Sequence, residues 1–79
     1  MTPKYYATVI YQQGKEVNAT ELNTLTHIAR THKGSYRSSN GIGGFVAFEF
    51  PDSEKAEGFK RQSQQLSEYV ANVRIEESQ

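Results

Sequence analysis

Cysteine is absent from the 79 residues, so neither a disulfide staple nor a thiolate metal site can hold this chain together. No apolar run approaches the ~20 residues that a bilayer-spanning helix needs. The opening Met1-Thr2-Pro3-Lys4-Tyr5-Tyr6 lacks the apolar core of a secretion signal. Net charge is missing too: nine basic residues cancel nine acidic ones, which argues against a protein that holds nucleic acid mainly by charge. What these absences leave is a soluble, cytoplasmic chain with no membrane partner. It forms one domain over 1–79, with an ordered core expected over 4–76. Its core is small, so it rests on packing alone or on association with a partner.

The zero sum hides an uneven distribution. Up to Arg37, the cations Lys4, Lys15, Arg30, Lys33 and Arg37 face only Glu16 and Glu21. Beyond it, Glu49, Asp52, Glu54, Glu57, Glu68, Glu76 and Glu77 outnumber Lys55, Lys60, Arg61 and Arg74. A local basic patch is compatible with this pattern, and so is ordinary solvated surface.

Residues 5–11, Tyr-Tyr-Ala-Thr-Val-Ile-Tyr, are aromatic and β-branched and predict a strand. A helix start follows, with Asn18 as N-cap, Glu21 closing a capping box, and Val17 and Leu22 at the hydrophobic-staple positions. Leu22, Leu25, Ile28 and Ala29 form one apolar stripe. Arg30, His32 and Lys33 suit the negative end of the helix dipole, and Gly34 suits a left-handed C-cap. Ser35-Tyr36-Arg37 predicts a short strand. Asn40-Gly41 predicts a type I′ hairpin turn, and Gly44-Phe45-Val46-Ala47-Phe48-Glu49-Phe50 is the strongest strand, stopped by Pro51. Asp52 or Ser53 caps a second helix with a thinner stripe of Ala56, Phe59, Leu66 and Tyr69, diluted by Gly58 and Ser63. Val70 to Ile75 alternates as a last strand, and 76–79 read as a frayed tail.

The order β-α-β-β-α-β is the ferredoxin-like pattern of the α+β class: a four-stranded antiparallel sheet with two helices on one face. Nothing in the chain is left to cover the other face, so function is expected there. Glu49 should point away from the helices, and Phe45 goes with it. A two-residue turn at Asn40-Gly41 sets Tyr36 opposite Phe45, on the same face. The first strand admits two facings: Ala7 and Val9 inward with Lys4, Tyr6, Thr8 and Ile10 outward, or the reverse. In the last strand Val73 and Ile75 face in, and Asn72 and Arg74 face out. The expected open face carries Tyr6, Tyr36 and Phe45, with Lys4 and Arg74 on flanking positions and Ile10 and Ala47 between; Lys4, Arg37 and Arg74 are the cations expected to meet phosphates. Rings beside cations suit single-stranded nucleic acid, whose bases stack at roughly 1–3 kcal/mol each. An apolar sheet face equally suits a protein partner or a second copy of the chain.

Gly44-Phe45-Val46-Ala47-Phe48 resembles the closing G/A-F-V-x-F/Y of RNP1, the signature of the RNA recognition motif. Together with the element order, the resemblance runs from Tyr6 to Ile75. It implies a non-enzymatic module that binds single-stranded RNA or DNA, with Phe45 as one stacking ring and Tyr6 as the ring of the first strand. The chain departs from that family where Gly41-Ile42 replaces the Lys/Arg-Gly that opens RNP1, where Gly43 replaces its other aromatic, and where Tyr11-Gln12 ends the first strand. The alternative is a protein-interaction or homodimerising domain using the same face. A regulatory domain holding a small ligand between paired subunits is a third possibility, for which no ligand motif is present.

Other chemistry is not expected. Gly41-Ile42-Gly43 is followed by a strand rather than a helix, with Val46 at the third glycine position, so it is no dinucleotide loop. His27 and His32 do not stand at i, i+4, and no cysteine or carboxylate completes a metal site. They read as surface histidines. His27 and Thr31 lie one turn apart without a third partner. The arginine-bearing phosphate loop of ferredoxin-like acylphosphatases is missing. No catalytic residue, metal or cofactor is expected.

Overall fold

The structure, a computed structural model, describes residues 4–12, 14, 19–40, 44–66 and 70–77. Its elements are β1 (Tyr5–Tyr11), α1 (Ala19–Thr31), β2 (Ser35–Asn40), β3 (Phe45–Phe50), α2 (Ser53–Leu66) and β4 (Val70–Glu77). The strands form one antiparallel sheet in the order β2-β3-β1-β4, and both helices pack against one face of it. This is the expected α+β, ferredoxin-like fold.

The core lies between that face and the helices. Ala7, Val9 and Tyr11 of β1, Val46, Phe48 and Phe50 of β3, and Val73 of β4 meet Leu25, Ile28 and Ala29 of α1 and Ala56 and Phe59 of α2. Phe59 is the keystone: its ring centre lies 5.1 Å from those of both Phe48 and Phe50. Tilted ring pairs of this kind add to the roughly 1.5–3 kcal/mol gained by burying each large apolar side chain. Of the two facings open to β1, the burial settles Ala7 and Val9 inward. Ser63 does not dilute the α2 stripe as expected. It is fully buried within it, and its hydroxyl donates to the Lys60 carbonyl at 3.1 Å, so the polar atom carries its own partner into the core.

Helix α2 begins as predicted. Asp52 accepts the Lys55 backbone N–H at Oδ1, 2.9 Å away, and the Lys55 ammonium at Oδ2, 2.7 Å away. Helix α1 ends differently from the expectation. Gly34 N–H donates to the Ala29 carbonyl at 2.7 Å and Lys33 N–H to the Arg30 carbonyl at 3.0 Å, the paired bonds of a Schellman motif. The left-handed position belongs to Lys33, with φ of 65°, not to Gly34. Gly34 answers a different demand: a Cβ there would run into the Phe50 ring.

The β2–β3 hairpin also departs from the expected register. Strand β2 runs on to Asn40, which pairs with Phe45, so Asn40 is not a central turn residue. Gly41 and Gly43 lie outside the described residues, as do Val17 and Asn18 at the predicted start of α1, and Tyr69. Gly44 enters β3 with φ of 70°, a conformation glycine adopts without strain, and its carbonyl accepts the Tyr11 N–H at 2.8 Å.

Candidate recognition face

The antiparallel register assembles the uncovered face in cross-strand rows. Tyr6 stands between Glu49 of β3 and Glu76 of β4. Thr8 stands between Ala47 and Arg74, and Ile10 between Phe45 and Asn72. Strand β2 sets Ser35 beside Glu49 and Ser38 beside Ala47. Phe45, Ile10, Thr8 and Tyr6 are half-buried, and Ala47, shadowed by its neighbours, is buried. The centre of the face is thus a low, mainly apolar floor running from Phe45 and Ile10 towards Tyr6.

Its charges are compensated. The Lys4 ammonium lies 2.8 Å from Glu49 Oε1, and Arg74 Nη2 lies 3.2 Å from Glu76 Oε1. The Glu49 carboxylate, as hydrogen-bond acceptor and as charge, holds Lys4 above the usual lysine range. Arg37 reaches across β3 and places its guanidinium 4.0 Å from the centre of the Tyr6 ring.

Of the six residues expected to contact a partner, Lys4, Tyr6, Phe45 and Arg74 stand on this face, and Arg37 joins them over the Tyr6 ring. Tyr36 does not. It pairs with the core residue Phe48, while Ser38 pairs with Ala47, so Arg37 is an extra residue bulged out of the ladder. The bulge reverses the facing of everything before it. Tyr36 is therefore turned to the helix side of the sheet edge, 46 % exposed, its ring edge-on to Phe48 with centres 6.1 Å apart. Its hydroxyl is 2.8 Å from Ser39 Oγ. The longer connection between β2 and β3 would have left the facing unchanged, because it shifts the pairing by an even number of residues. The single inserted residue does not.

Glu76 was missed as a member of the face, although the alternation that sends Arg74 outward carries it along. The histidines are not equivalent either. His27 is exposed, whereas His32 is half-buried between the helices, its Nε2 2.7 Å from Gln62 Oε1. Thr31 donates to the His27 backbone carbonyl at 3.0 Å, not to its ring. Among the described residues, no group of three His, Asp or Glu side chains is placed to hold a metal ion, and no helix is long and apolar enough to cross a membrane. A shallow groove of about 220 Å³ at the Tyr6 end is lined by Lys4, Lys33, Ser35, Glu49, Phe50 and Pro51. It sits at the C-terminal, negative end of α1, and Glu49 already engages Lys4, so it offers little to an anion.

The chain matches no protein-family model, and no curated protein is significantly similar to it.

Proposed function

We propose that this chain is a non-enzymatic interaction module that recognises a protein surface through its open sheet face. Phe45, Ile10, Ala47 and Thr8 form the apolar centre. The Lys4–Glu49 and Arg74–Glu76 pairs and the stacked Arg37 and Tyr6 form the rim. The observation that carries this reading is the row Glu49–Tyr6–Glu76 with Arg37 over its ring. A base stacking on Tyr6 has to displace a guanidinium already bound there, and its phosphates pass two carboxylates. With Tyr36 on the opposite face, Phe45 is the ring that remains among the described residues. One stacked base, worth roughly 1–3 kcal/mol, is a weak hold for single-stranded nucleic acid. A protein interface asks for what this face has: an uncharged centre, a paired polar rim, and arginine and tyrosine among its contacts.

The test is photo-crosslinking in the cell that makes the chain, with a photoreactive residue at Phe45 and, as control, at exposed Glu57 on α2. The expected result is a discrete protein adduct from position 45 that survives nuclease and is absent from position 57. A nuclease-sensitive adduct returns the face to nucleic acid, and equal or absent adducts at the two positions remove it as a recognition surface.

A further inference from the structure

We propose that two copies of this chain pair antiparallel through their β4 edges, about a two-fold axis at Ile75, making one sheet of both. The sheet has two edges, β2 and β4. Strand β2 is blunted by the Arg37 bulge. Strand β4 pairs with β1 on one side in regular register from Asn72 to Glu77, and no strand lies on its other side among the described residues.

Charge on an edge strand ordinarily deters pairing. Here its arrangement selects one register. A two-fold axis that keeps the two helix layers on the same side pairs residues of equal facing, so the strands slip only in steps of two. Centred on Arg74, the pairing sets Arg74 against Arg74 of the second copy, and like charges directly opposite repel. Centred on Val73, it sets Arg74 against Asn72. Centred on Ile75, it sets Arg74 against Glu76 of the second copy and Glu76 against its Arg74, two ion pairs of opposite sign. These residues already reach one another within a strand at 3.2 Å, so both side chains project from the same side of the edge. The same register brings Ile75, half-buried at the rim of the core, against its own copy on the helix side. Glu77 then falls beside Val73 of the second copy, whose side chain its own helices already cover. The two recognition faces would lie side by side on one surface, and the pairing stands whether or not that face binds protein.

Sedimentation of the full chain over a wide concentration range tests this. The wild type is expected to dimerise. Arg74→Glu and Glu76→Arg, which set like charges opposite each other, should each raise the dissociation constant about tenfold or more. The double variant, Arg74→Glu with Glu76→Arg, should restore the dimer, and so should an equimolar mixture of the two single variants. Phe45→Ser should leave it intact. A wild type that stays monomeric at the highest concentration overturns the proposal. So does a dimer indifferent to the single swaps, one not restored by the mixture, or one abolished by Phe45→Ser.

Discussion

The guanidinium of Arg37 lies 4.0 Å over the ring of Tyr6, although the strands that carry them are separated by β3. The reach exists because Arg37 is the bulged residue of β2. Placed in the ladder, it would share the facing of neither neighbour and would point to the helices. A cation over an exposed ring contributes about 0.5–1 kcal/mol. Arg37→Ala and Tyr6→Leu should therefore show a coupling of about that size in a double-mutant cycle read by urea unfolding. Additive effects would mean that the two side chains do not interact in solution.

Phe45 and Phe48 test the assignment of faces. They differ by three positions on one strand, and the pleat sends them to opposite sides of the sheet. Phe48 is fully buried between Tyr36 and Phe59, and Phe48→Ala should cost roughly 3–5 kcal/mol, enough to unfold much of a domain this small. Phe45→Ala should cost less than half of that. Equal losses in urea unfolding would place both rings in the core.

The contrast between these rings was legible in the sequence, since Glu49 fixes the alternation of β3 and the alternation then divides the phenylalanines. The element order was equally legible, because each element carries its own local signal: β-branched runs for β1 and β3, an apolar stripe for α1, the Asp52 cap for α2. Tyr36 was not legible. Its facing depends on an insertion of one residue in Ser-Tyr-Arg-Ser-Ser-Asn, a polar stretch without an apolar pattern to reveal a bulge. Ser63 was misjudged for a related reason, as a hydroxyl that satisfies itself on its own helix enters a core that composition would deny it. The charge balance of the face was half visible. The alternation of β3 puts Glu49 there, but its bond to Lys4 and the position of Glu76 beside Tyr6 depend on register between distant strands.

The end of α1 supports a pair of opposite outcomes at adjacent positions. Lys33 adopts φ of 65°, which costs a side-chain-bearing residue about 1 kcal/mol that glycine avoids. Lys33→Gly should thus stabilise the protein by up to about 1 kcal/mol. Gly34→Ala should do the reverse. The new methyl meets the Phe50 ring, which is buried and packed against Phe59, so overpacking should cost about 1–3 kcal/mol. If Gly34→Ala is neutral in urea unfolding, the close approach of Phe50 to the backbone is wrong.

The Asp52 cap should leave a signature in acid. The Lys55 ammonium, and then the Lys55 backbone N–H, hold its carboxyl below the usual aspartate range. In the unfolded chain it returns to about 3.9. A carboxyl with the lower value when folded adds stability that is complete above the unfolded value and fades as pH falls through the folded one. Asp52→Asn retains a capping oxygen but has no charge to lose. The difference in melting temperature between wild type and Asp52→Asn should therefore shrink as pH is lowered from 5 towards 2, and a constant difference would rule the ionised cap out.

Tyr11 carries the corresponding prediction in base. Its ring is buried under the sheet, and its hydroxyl donates to Glu21 Oε2 at 3.2 Å. Burial, and then the adjacent carboxylate, push the phenol well above the usual tyrosine range. A phenol with the higher value when folded contributes stability that is complete below its unfolded value, about 10, and is lost as pH rises from there towards the folded value. The native protein should therefore keep at least one of its five tyrosines silent in an ultraviolet titration until alkaline unfolding releases it. Tyr11→Phe should abolish that silent step. It should also flatten the alkaline loss of stability relative to wild type, at a cost near neutral pH of about 1 kcal/mol for the lost hydrogen bond. A wild type in which all tyrosines titrate together near pH 10 while the fold persists would show that Glu21 does not hold the Tyr11 hydroxyl.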